Sequence, residues 1–466
     1  MTWRFETIGQ LAQDISTSNC LTRSQDNSAR ESDTPMSETA NIRSLTFGTG
    51  YQIFTSSILP AIESAQEEVI LITCFWASSP TRSALNDTLL KLSAKALART
   101  TSSDRSSSIK RIRVRIGFSS SSLFQKLFHT SSPSGKVYPP TEWSTKLGLP
   151  AAENLEGIDL EVKSIFFLPF SVWHPKFVVI DRKEVFVPSC NVSWEEWFEG
   201  CVRLDGKGIV GEFLKFWELK WRGRLERFGT SLQNGDEERG LLGPITTTNS
   251  LGLENVGCKF LPSPHHRNPR FRFFPWQKCA EPPRTPLNVE LLGLFAGAKG
   301  SIYVQSPNVT CPPVLEHILG AVGRGVDVTI VTSEKLMILE QLVTAGTTTS
   351  RCMSKLAKKH QTLLNAPRDE EAGLTAAGAL RISYYVPRSR TTATEGEPVQ
   401  SHVKLTIVDD EVIVFGSGNM DRASWYTSQE LGVAFYSSEL VTETKQRLQH
   451  ELEGRTKLYY EAAKGS

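Results

Sequence analysis

The chain has 466 residues, of which 39% are hydrophobic and 22% charged, and its formal net charge is only +2. The length predicts several domains or one large duplicated body, and the composition excludes collagen-like, coiled-coil and wholly disordered proteins. A nearly balanced charge also argues against a surface built throughout for a polyanion. No apolar run reaches the length of about 20 residues that crosses a bilayer, so we expect no transmembrane segment.

The N-terminus and the cysteines bear on the compartment. Residues 1–16 include Glu and Asp and lack the apolar core of a secretory signal. The eight cysteines are scattered, without CxxC spacing and without a Cys/His cluster of zinc spacing. We therefore expect reduced thiols, no cofactor, no metal and a cytoplasmic protein, with a peripheral position on the cytosolic face of a membrane equally compatible.

The predicted elements alternate between helix and strand. Residues 17–45 are polar and poor in aromatic side chains, and we predict a mobile N-terminal segment over 1–46. Beyond it, the helix-like SILPAIESAQ precedes the buried strand EEVILITCFW, and the helix-like SALNDTLLKLSAKALA precedes the strand IRVRIGFSS. This alternation predicts an α/β fold.

The same plan recurs about 230 residues later, which indicates a domain duplication. NVELLGLFAGAKG and PPVLEHILGAVGRG read as helices, and SIYVQSPNV and VDVTIVTS read as strands. A stretch rich in Gly, Ser, Thr and Asn separates the two copies and reads as a linker. The predicted parts are the mobile segment 1–46, the first half 47–227, the linker 228–256 and the second half 257–466.

Two stretches with a histidine and a lysine occupy corresponding places in the two halves. VWHPKFVVID at 172–181 and SHVKLTIVD at 401–409 each have a Lys two residues after the His and an Asp five residues after the Lys. On a strand, residues two apart face the same way, so each His shares a face with its Lys. Because an unpaired buried charge is costly, two such pairs on apolar strands indicate convergence on one anion. The residues are His174, Lys176 and Asp181, and His402, Lys404 and Asp409.

Polar residues follow both stretches at similar distances. An Asn lies ten residues after each Asp and two residues after a Ser, as Ser189 with Asn191 and Ser417 with Asn419. Glutamates come next, Glu199 eight residues after the first Asn and Glu430 eleven residues after the second.

The pattern HxKxxxxD followed by Ser-x-Asn, present twice, resembles the phospholipase D superfamily, and the resemblance covers about residues 47–460. It implies two similar phospholipase D-like halves, each a mixed β-sheet flanked by helices, packed as a pseudo-twofold single-chain body. The stretch GSGNMDRASWYTSQELGVAFYSSEL is most similar to the phosphatidyltransferases of that family, which include cardiolipin and phosphatidylserine synthases. Pro175 and Pro188 depart from the family pattern and predict a distorted first site.

The resemblance also implies a metal-independent transfer through a phosphohistidine intermediate. It implies His174 as the nucleophile and His402 as the acid/base group, with the reverse order left open. Lys176 and Lys404 would clamp the phosphate, and Glu430 would orient a catalytic histidine. The supporting residues are Asn191, Asn419, Ser189 and Ser417 as donors, Glu199 as the acidic residue of the first half, and Asp181 and Asp409 as braces of the strand ends.

Several functions remain compatible with this site. A monomeric enzyme that acts on phospholipid at a membrane surface suits the near-neutral charge and the apolar SIFFLPFSVW, which reads as a buried strand and turn or as an acyl-chain wall. The alternative is a nuclease or nucleic-acid end-processing phosphodiesterase, but no basic stripe is evident. A non-catalytic lipid-binding scaffold is disfavoured by the intact motifs, and a phosphodiesterase for a small metabolite stays open. We expect the surface loop with His265 and His266, and the basic helix at KLAKKH, to be solvated, with lipid headgroups as the alternative contact for the helix.

Overall fold

The computed structural model describes residues 38–102, 111–120, 135–167, 171–221, 250–264, 281–365, 376–388 and 396–462. Two predicted boundaries are corrected. Strand β1 (Glu38–Thr49) begins inside the predicted mobile segment, and strand β11 (Ser250–Ser263) begins inside the predicted linker. These two strands pair with each other in an antiparallel ladder, for example Ala40 with Val256, and this long-range partner orders residues whose local composition is that of a loop.

The remaining strands are β2 (Glu68–Ile72), β3 (Ile112–Phe118), β4 (Lys136–Tyr138), β5 (Ile158–Ser164), β6 (Phe166–Phe167), β7 (Ser171–Val172), β8 (Phe177–Ile180), β9 (Glu184–Pro188), β10 (Trp197–Asp205), β12 (Ser301–Gln305), β13 (Asp327–Thr332), β14 (Leu380–Tyr385), β15 (Gln400–Ser401), β16 (Leu405–Val408), β17 (Val412–Gly416), β18 (Glu430–Tyr436) and β19 (Thr456–Ala462).

The helices are α1 (Gly50–Ile53), α2 (Leu59–Ser64), α3 (Pro80–Ser102), α4 (Pro140–Glu142), α5 (Lys207–Trp221), α6 (Pro286–Gly297), α7 (Pro312–Gly323), α8 (Ile338–Ala345), α9 (Thr349–Leu364), α10 (Arg422–Tyr426) and α11 (Ser438–Leu452). A π-helical segment, Phe54–Ile58, joins α1 to α2, and another, Trp143–Leu147, continues α4. A 3₁₀ turn covers Ala152–Asn154.

One mixed sheet of seventeen strands organises the described part of the chain, and β6 and β7 form a separate hairpin. Along its hydrogen-bonded neighbours the order is β4-β5-β3-β2-β8-β9-β10-β1-β11-β18-β17-β16-β12-β13-β14-β19, with β15 added in parallel to β10. The pairs β2–β3, β3–β5, β12–β13 and β13–β14 are parallel, and the others in this order are antiparallel. The predicted α/β class is therefore confirmed.

Hydrophobic residues from all along the chain bury the two faces of this sheet. Phe213 and Trp217 of α5 and Leu448 of α11 share a core with Phe177 and Phe435 of the strands. Helices α3, α6, α7 and α9 contribute to two further cores in the described residues. Each strand that leads away from a His-Lys stretch, β8 or β16, is buried along its whole length, which is why both read as continuous apolar runs.

Within the described ranges, we find no helix whose length and apolar character would allow it to cross a membrane.

Candidate active site

The two His-Lys stretches lie immediately before strands. Strand β8 begins at Phe177 and β16 at Leu405, so the prediction that each His and Lys sit on the strand itself is wrong. The reason is a change of backbone partner: His174 N donates to Gln429 O at 3.0 Å, and His402 N donates to Phe198 O at 2.8 Å. The backbone therefore leaves the ladder just where the two histidines must face the site.

Each lysine turns back onto the backbone of its own stretch. The Lys176 Nζ donates to the carbonyl oxygen of His174 at 3.0 Å, and the Lys404 Nζ donates to that of His402 at 2.6 Å. Both lysines are almost completely buried. Among the described residues each ammonium has one carbonyl acceptor, which leaves N–H donors for an anionic ligand.

A glutamate from a distant part of the chain holds each imidazole. Nδ1 of His174 lies 2.7 Å from Oε2 of Glu430, and Nδ1 of His402 lies 2.7 Å from Oε1 of Glu199. With Nδ1 engaged by a carboxylate, Nε2 is the ring nitrogen left for chemistry, and the carboxylate also fixes the orientation of the ring. The pairing is crossed, because each histidine depends on a glutamate that follows the other His-Lys stretch.

The two Nδ1–carboxylate distances are equal, which corrects the expectation that Pro175 distorts the first site. Pro175 lies in the segment between strands, where no ladder hydrogen bond needs its missing N–H.

The two serines support the glutamates. Ser189 Oγ donates to Oε2 of Glu199 and accepts from Gly200 N at 2.9 Å. Ser417 Oγ donates to Oε2 of Glu430 at 2.5 Å and accepts from Leu431 N at 3.0 Å. The structure thus places both hydroxyls against the carboxylates, where they orient the groups that orient the histidines.

The two asparagines have different surroundings. Asn191 Oδ1 accepts from the backbone N–H groups of Cys74 at 3.2 Å and Phe75 at 3.1 Å, which ties this residue to the segment after β2. Asn419 Nδ2 donates to Oδ2 of Asp421 at 3.1 Å. Among the described residues, Oδ1 of Asn419 and Oε1 of Glu430 are buried acceptors without a hydrogen-bond donor. Such acceptors are suited to receive a donor from a bound molecule.

Asp181 and Asp409 brace the far ends of β8 and β16. The carboxylate of Asp181 accepts from the backbone N–H groups of Gln66–Glu68 at 2.7 to 3.1 Å. Asp409 accepts in the same way from Lys299–Ser301, again at 2.7 to 3.1 Å. Each Asp is the first residue of a three-residue hairpin loop, 181–183 or 409–411, and has a positive φ, 51° and 53° respectively. Each carboxylate thus joins the end of its strand to a second backbone segment.

Burial and the two lysines set the charge state of the site. Burial lowers the pKa of His174 to about 4 and that of His402 to about 3; both lysines lower them as well, and the glutamates act in the opposite direction. Burial, with a contribution from Lys176, lowers the pKa of Lys404 to about 7. Burial alone would raise the pKa of Glu199, but His402 and Lys404 bring it below its ordinary value. Both imidazoles are therefore neutral near pH 7 until an anion enters the field of the lysines.

A stack of three aromatic rings leads away from His402, and the sequence motifs did not predict it. The ring of Trp197 meets His402 edge-on at 4.9 Å, and Trp194 stacks on Trp197 at 5.0 Å and on Phe75 at 4.4 Å. Trp194 is exposed and has a φ of 52°, an unfavourable conformation for a bulky residue. The signal that could have revealed this stack is the run SWEEWFE, which begins two residues after Asn191.

Other sequence candidates fall outside the site or outside the described residues. His265 and His266 belong to the latter group, as do residues 168–170 of the apolar run before His174. The ends of that run form the β6–β7 hairpin, with Phe166 and Trp173 buried. His360 bonds Tyr460 and the carbonyl of Gly378, which is a structural role. In the described ranges no group of three or more His, Cys, Asp and Glu side chains is placed to hold a metal ion.

Comparison with known proteins adds independent findings. Residues 291–452, which include the second motif, match a family model described as "Cardiolipin synthase, PLD-like domain". The fold is similar to that of phosphatidylserine synthase from Haemophilus influenzae Rd KW20, with a TM-score of 0.58 and 13% identity over 92% of this chain and 91% of that chain. No curated protein matches the chain by sequence.

Two other solved structures have lower TM-scores. Nuc, a phospholipase D family member from Salmonella typhimurium, has a TM-score of 0.26 and 22% identity over 37% of this chain and 90% of that chain. Polyphosphate kinase from Porphyromonas gingivalis has a TM-score of 0.46 and 10% identity over 91% of this chain and 50% of that chain. The family match over residues 291–452 and the fold shared with the synthase agree with the resemblance that the two motifs carry.

Proposed function

We propose that this protein transfers the phosphatidyl group of a phospholipid to an alcohol or to water. The observation that carries the proposal is the crossed pair of His–Glu contacts, with two buried lysines beside two imidazoles. The PLD-like domain and the fold shared with a phosphatidylserine synthase support a phospholipid as the substrate. We place the enzyme in the cytoplasm or on the cytosolic face of a membrane, acting as a monomer.

The site would be formed by two similar halves, the first beginning at β1 and the second at β11, related by a pseudo-twofold axis. The strand order supports this arrangement. Outward from the β1–β11 pair, one direction runs through β10, β9, β8, β2, β3 and β5, and the other through β18, β17, β16, β12, β13 and β14. Parallel and antiparallel pairs occur in the same succession in both directions. The matching braces of Asp181 and Asp409 agree with such a duplication.

The first chemical step divides a difficult displacement into two easier ones. Nε2 of His174 attacks phosphorus and forms a P–N bond while the bond from phosphorus to the headgroup oxygen breaks. His402 donates the proton that this leaving oxygen needs. The buried Glu430 stabilises the positive charge that develops on His174, as a carboxylate does for a catalytic histidine in general.

The second step reverses the roles of the groups around phosphorus. His402, now neutral, takes a proton from the alcohol or water as that oxygen attacks the phosphohistidine. The P–N bond breaks and His174 returns to its starting state. We assign the nucleophile to His174 because its imidazole is less buried than that of His402, which Trp197 covers on one side.

The lysines supply the positive charge for both steps, so the proposed reaction uses no metal. Lys176 and Lys404 would hold the non-bridging oxygens of the phosphodiester. The same anion changes the protonation of the site. Burial, and to a smaller extent the two lysines, lower the pKa of His402. The negative charge of a bound phosphodiester acts in the opposite direction and favours the protonated His402 that the first step requires.

The test is a transfer assay with EDTA-treated enzyme, mixed phospholipid vesicles and a primary alcohol. We expect a phosphatidyl-alcohol in the mass spectrum from the wild type and none from His402→Asn. Formation of that product without added metal would support the proposal. If the wild type instead cleaves a bis-aryl phosphodiester but yields no lipid product, the catalytic chemistry stands and the phospholipid assignment fails.

A further inference from the structure

Helix α8 presents an apolar surface to solvent. The exposed fractions of its outward side chains are 40% for Ile338, 77% for Leu339, 39% for Leu342 and 56% for Val343. Residues one, four and five positions apart fall on one side of a helix, so the four side chains form one continuous stripe. Glu340, at the edge of the stripe, is the exposed charged residue of this helix.

The inward side of α8 is polar, the reverse of an ordinary surface helix. Gln341 is buried, and its Nε2 donates to Asn308 Oδ1 at 2.8 Å and to Leu336 O at 2.6 Å. Its Oε1 accepts from Thr349 N at 2.6 Å and from the Thr349 hydroxyl at 3.0 Å. The helix is thus held by hydrogen bonds while its apolar side chains remain uncovered. A contiguous apolar patch of this kind marks a contact with another molecule or a membrane.

The neighbouring helix α9 has an exposed basic side. Arg351, Lys355, Lys358 and Lys359 are exposed and lie four, seven and eight positions apart, on one side of α9. The opposite side of the helix is buried through Cys352, Met353, Leu356, Ala357 and His360. The contacts of Gln341 with Thr349, the first residue of α9, connect the two helices directly. We call the exposed sides of α8 and α9 together the α8–α9 face.

The α8–α9 face is connected to the second motif. Arg422, the first residue of α10, donates from Nη1 to the carbonyl of Thr344 in α8 at 3.1 Å. It follows Asp421, whose carboxylate accepts from Asn419 of the Ser-x-Asn motif. A molecule bound on α8 therefore lies close to the loop that carries Asn419.

From these contacts we propose that the α8–α9 face docks on an anionic phospholipid bilayer, with the α8 side chains in the acyl boundary and the α9 cations among the headgroups. The proposal rests on the proposed function, because it describes how the enzyme meets a lipid substrate. Apolar side chains beside lysines and arginines are the combination that binds an anionic membrane interface. A protein partner would have no comparable need for four cations along the adjacent helix.

The experiment is flotation of the full-length protein with vesicles of phosphatidylcholine, with and without phosphatidylglycerol. We expect the wild type to float with the anionic vesicles and less with the neutral ones. The double variant Leu339→Glu/Val343→Glu should lose about tenfold or more in bound fraction, because two carboxylates oppose both insertion and the anionic surface. Lys355→Glu/Lys358→Glu should lose most of its preference for anionic vesicles.

Leu219→Glu is the matched control, since Leu219 is an exposed leucine (48%) on another helix, α5. Its flotation should equal that of the wild type. Thermal unfolding checks that all variants are folded, and Leu339→Trp provides a second test because an interfacial tryptophan should increase vesicle binding. Equal flotation of the wild type and the Leu339→Glu/Val343→Glu variant would overturn the proposal. So would a wild type that does not float but self-associates through this face.

A soluble substrate separates this proposal from the proposed function. On a short-chain phospholipid below its micellar concentration, Leu339→Glu/Val343→Glu should retain wild-type turnover while it loses turnover on vesicles. A loss that is equal on both substrates would contradict docking. If the wild type floats and the double variant does not, but neither converts any phospholipid, the docking surface is supported and the proposed function fails.

Discussion

Oε2 of Glu430 lies 2.7 Å from Nδ1 of His174, although the two residues are 256 positions apart in the chain. The reciprocal contact joins Glu199 to His402 across 203 positions. Neither His-Lys stretch can therefore form a complete site alone, because the carboxylate that orients its imidazole comes from the other part of the chain. The crossed contacts give a physical reason for both motifs to reside on one folded body.

Removing the charge of either glutamate should impair chemistry. For Glu430→Gln we expect turnover of a bis-aryl phosphodiester to fall by about 10²- to 10⁴-fold, because an amide neither fixes the required tautomer nor stabilises the developing charge on His174. Glu199→Gln should show a similar loss through His402. The control is Glu212→Gln, on the exposed side of α5, with kcat and KM measured for all three. Wild-type kcat in both site variants would contradict the orienting role.

Variants of the two histidines should differ in whether the phosphohistidine intermediate accumulates. With an activated substrate whose leaving group needs no protonation, His402→Asn should still form the phosphohistidine but hydrolyse it slowly. A burst of about one product per enzyme followed by a slow phase is then expected. His174→Asn should give no burst, and an acid-labile phosphoryl label should appear on His174 of the other variant. A burst and label in His174→Asn alone would reverse the assignment.

Lys404 should make stability depend on pH above neutrality. Its pKa is about 7 in the folded protein, whereas an unfolded lysine titrates near about 10.4. Between these values the unfolded chain binds more protons than the folded one, so the free energy of unfolding should rise with pH. Lys404→Met should remove this rise, abolish activity and be more stable than the wild type at pH 7, since a desolvated cation is replaced by an apolar side chain.

Urea unfolding at pH 7, 8 and 9 measures this effect. Lys299→Met, at an exposed position, is the control and should keep the wild-type slope. An identical pH slope in Lys404→Met and the wild type would show that Lys404 is not desolvated as the structure indicates.

Asp409 should matter for stability more than for chemistry. Its carboxylate accepts from three backbone N–H groups at the end of β16 remote from His402. Asp409→Asn should lower the free energy of unfolding by about 1–3 kcal/mol, since charge-assisted hydrogen bonds are lost, with kcat nearly unchanged. The control is Asp410→Asn in the same turn, whose exposed pair with Lys445 contributes little. Equal stability of the two variants, measured by urea unfolding, would rule out the brace.

Sequence reasoning was strongest where neighbours along the chain decide the outcome. Apolar runs such as EEVILITCFW predicted buried strands, and the HxKxxxxD spacing located His174, His402 and their lysines. It was weaker at Glu199, because its spacing from Asn191 differs from that of Glu430 from Asn419. The spacing is longer in the second case because helix α10 lies between Asn419 and Glu430.

The sequence by itself determined the α/β class and the positions of the two His-Lys stretches, because these depend on local periodicity and on the identity of residues a few positions apart. Only the tertiary structure decided which glutamate holds which histidine, that Ser189 and Ser417 support those glutamates, and that β1 pairs with β11. The tertiary structure also decided that the apolar side of α8 faces outward. A helical pattern shows where the apolar stripe lies but not whether that stripe faces the protein or the solvent. Contacts across more than 200 residues are set by sheet pairing, and no local pattern encodes them.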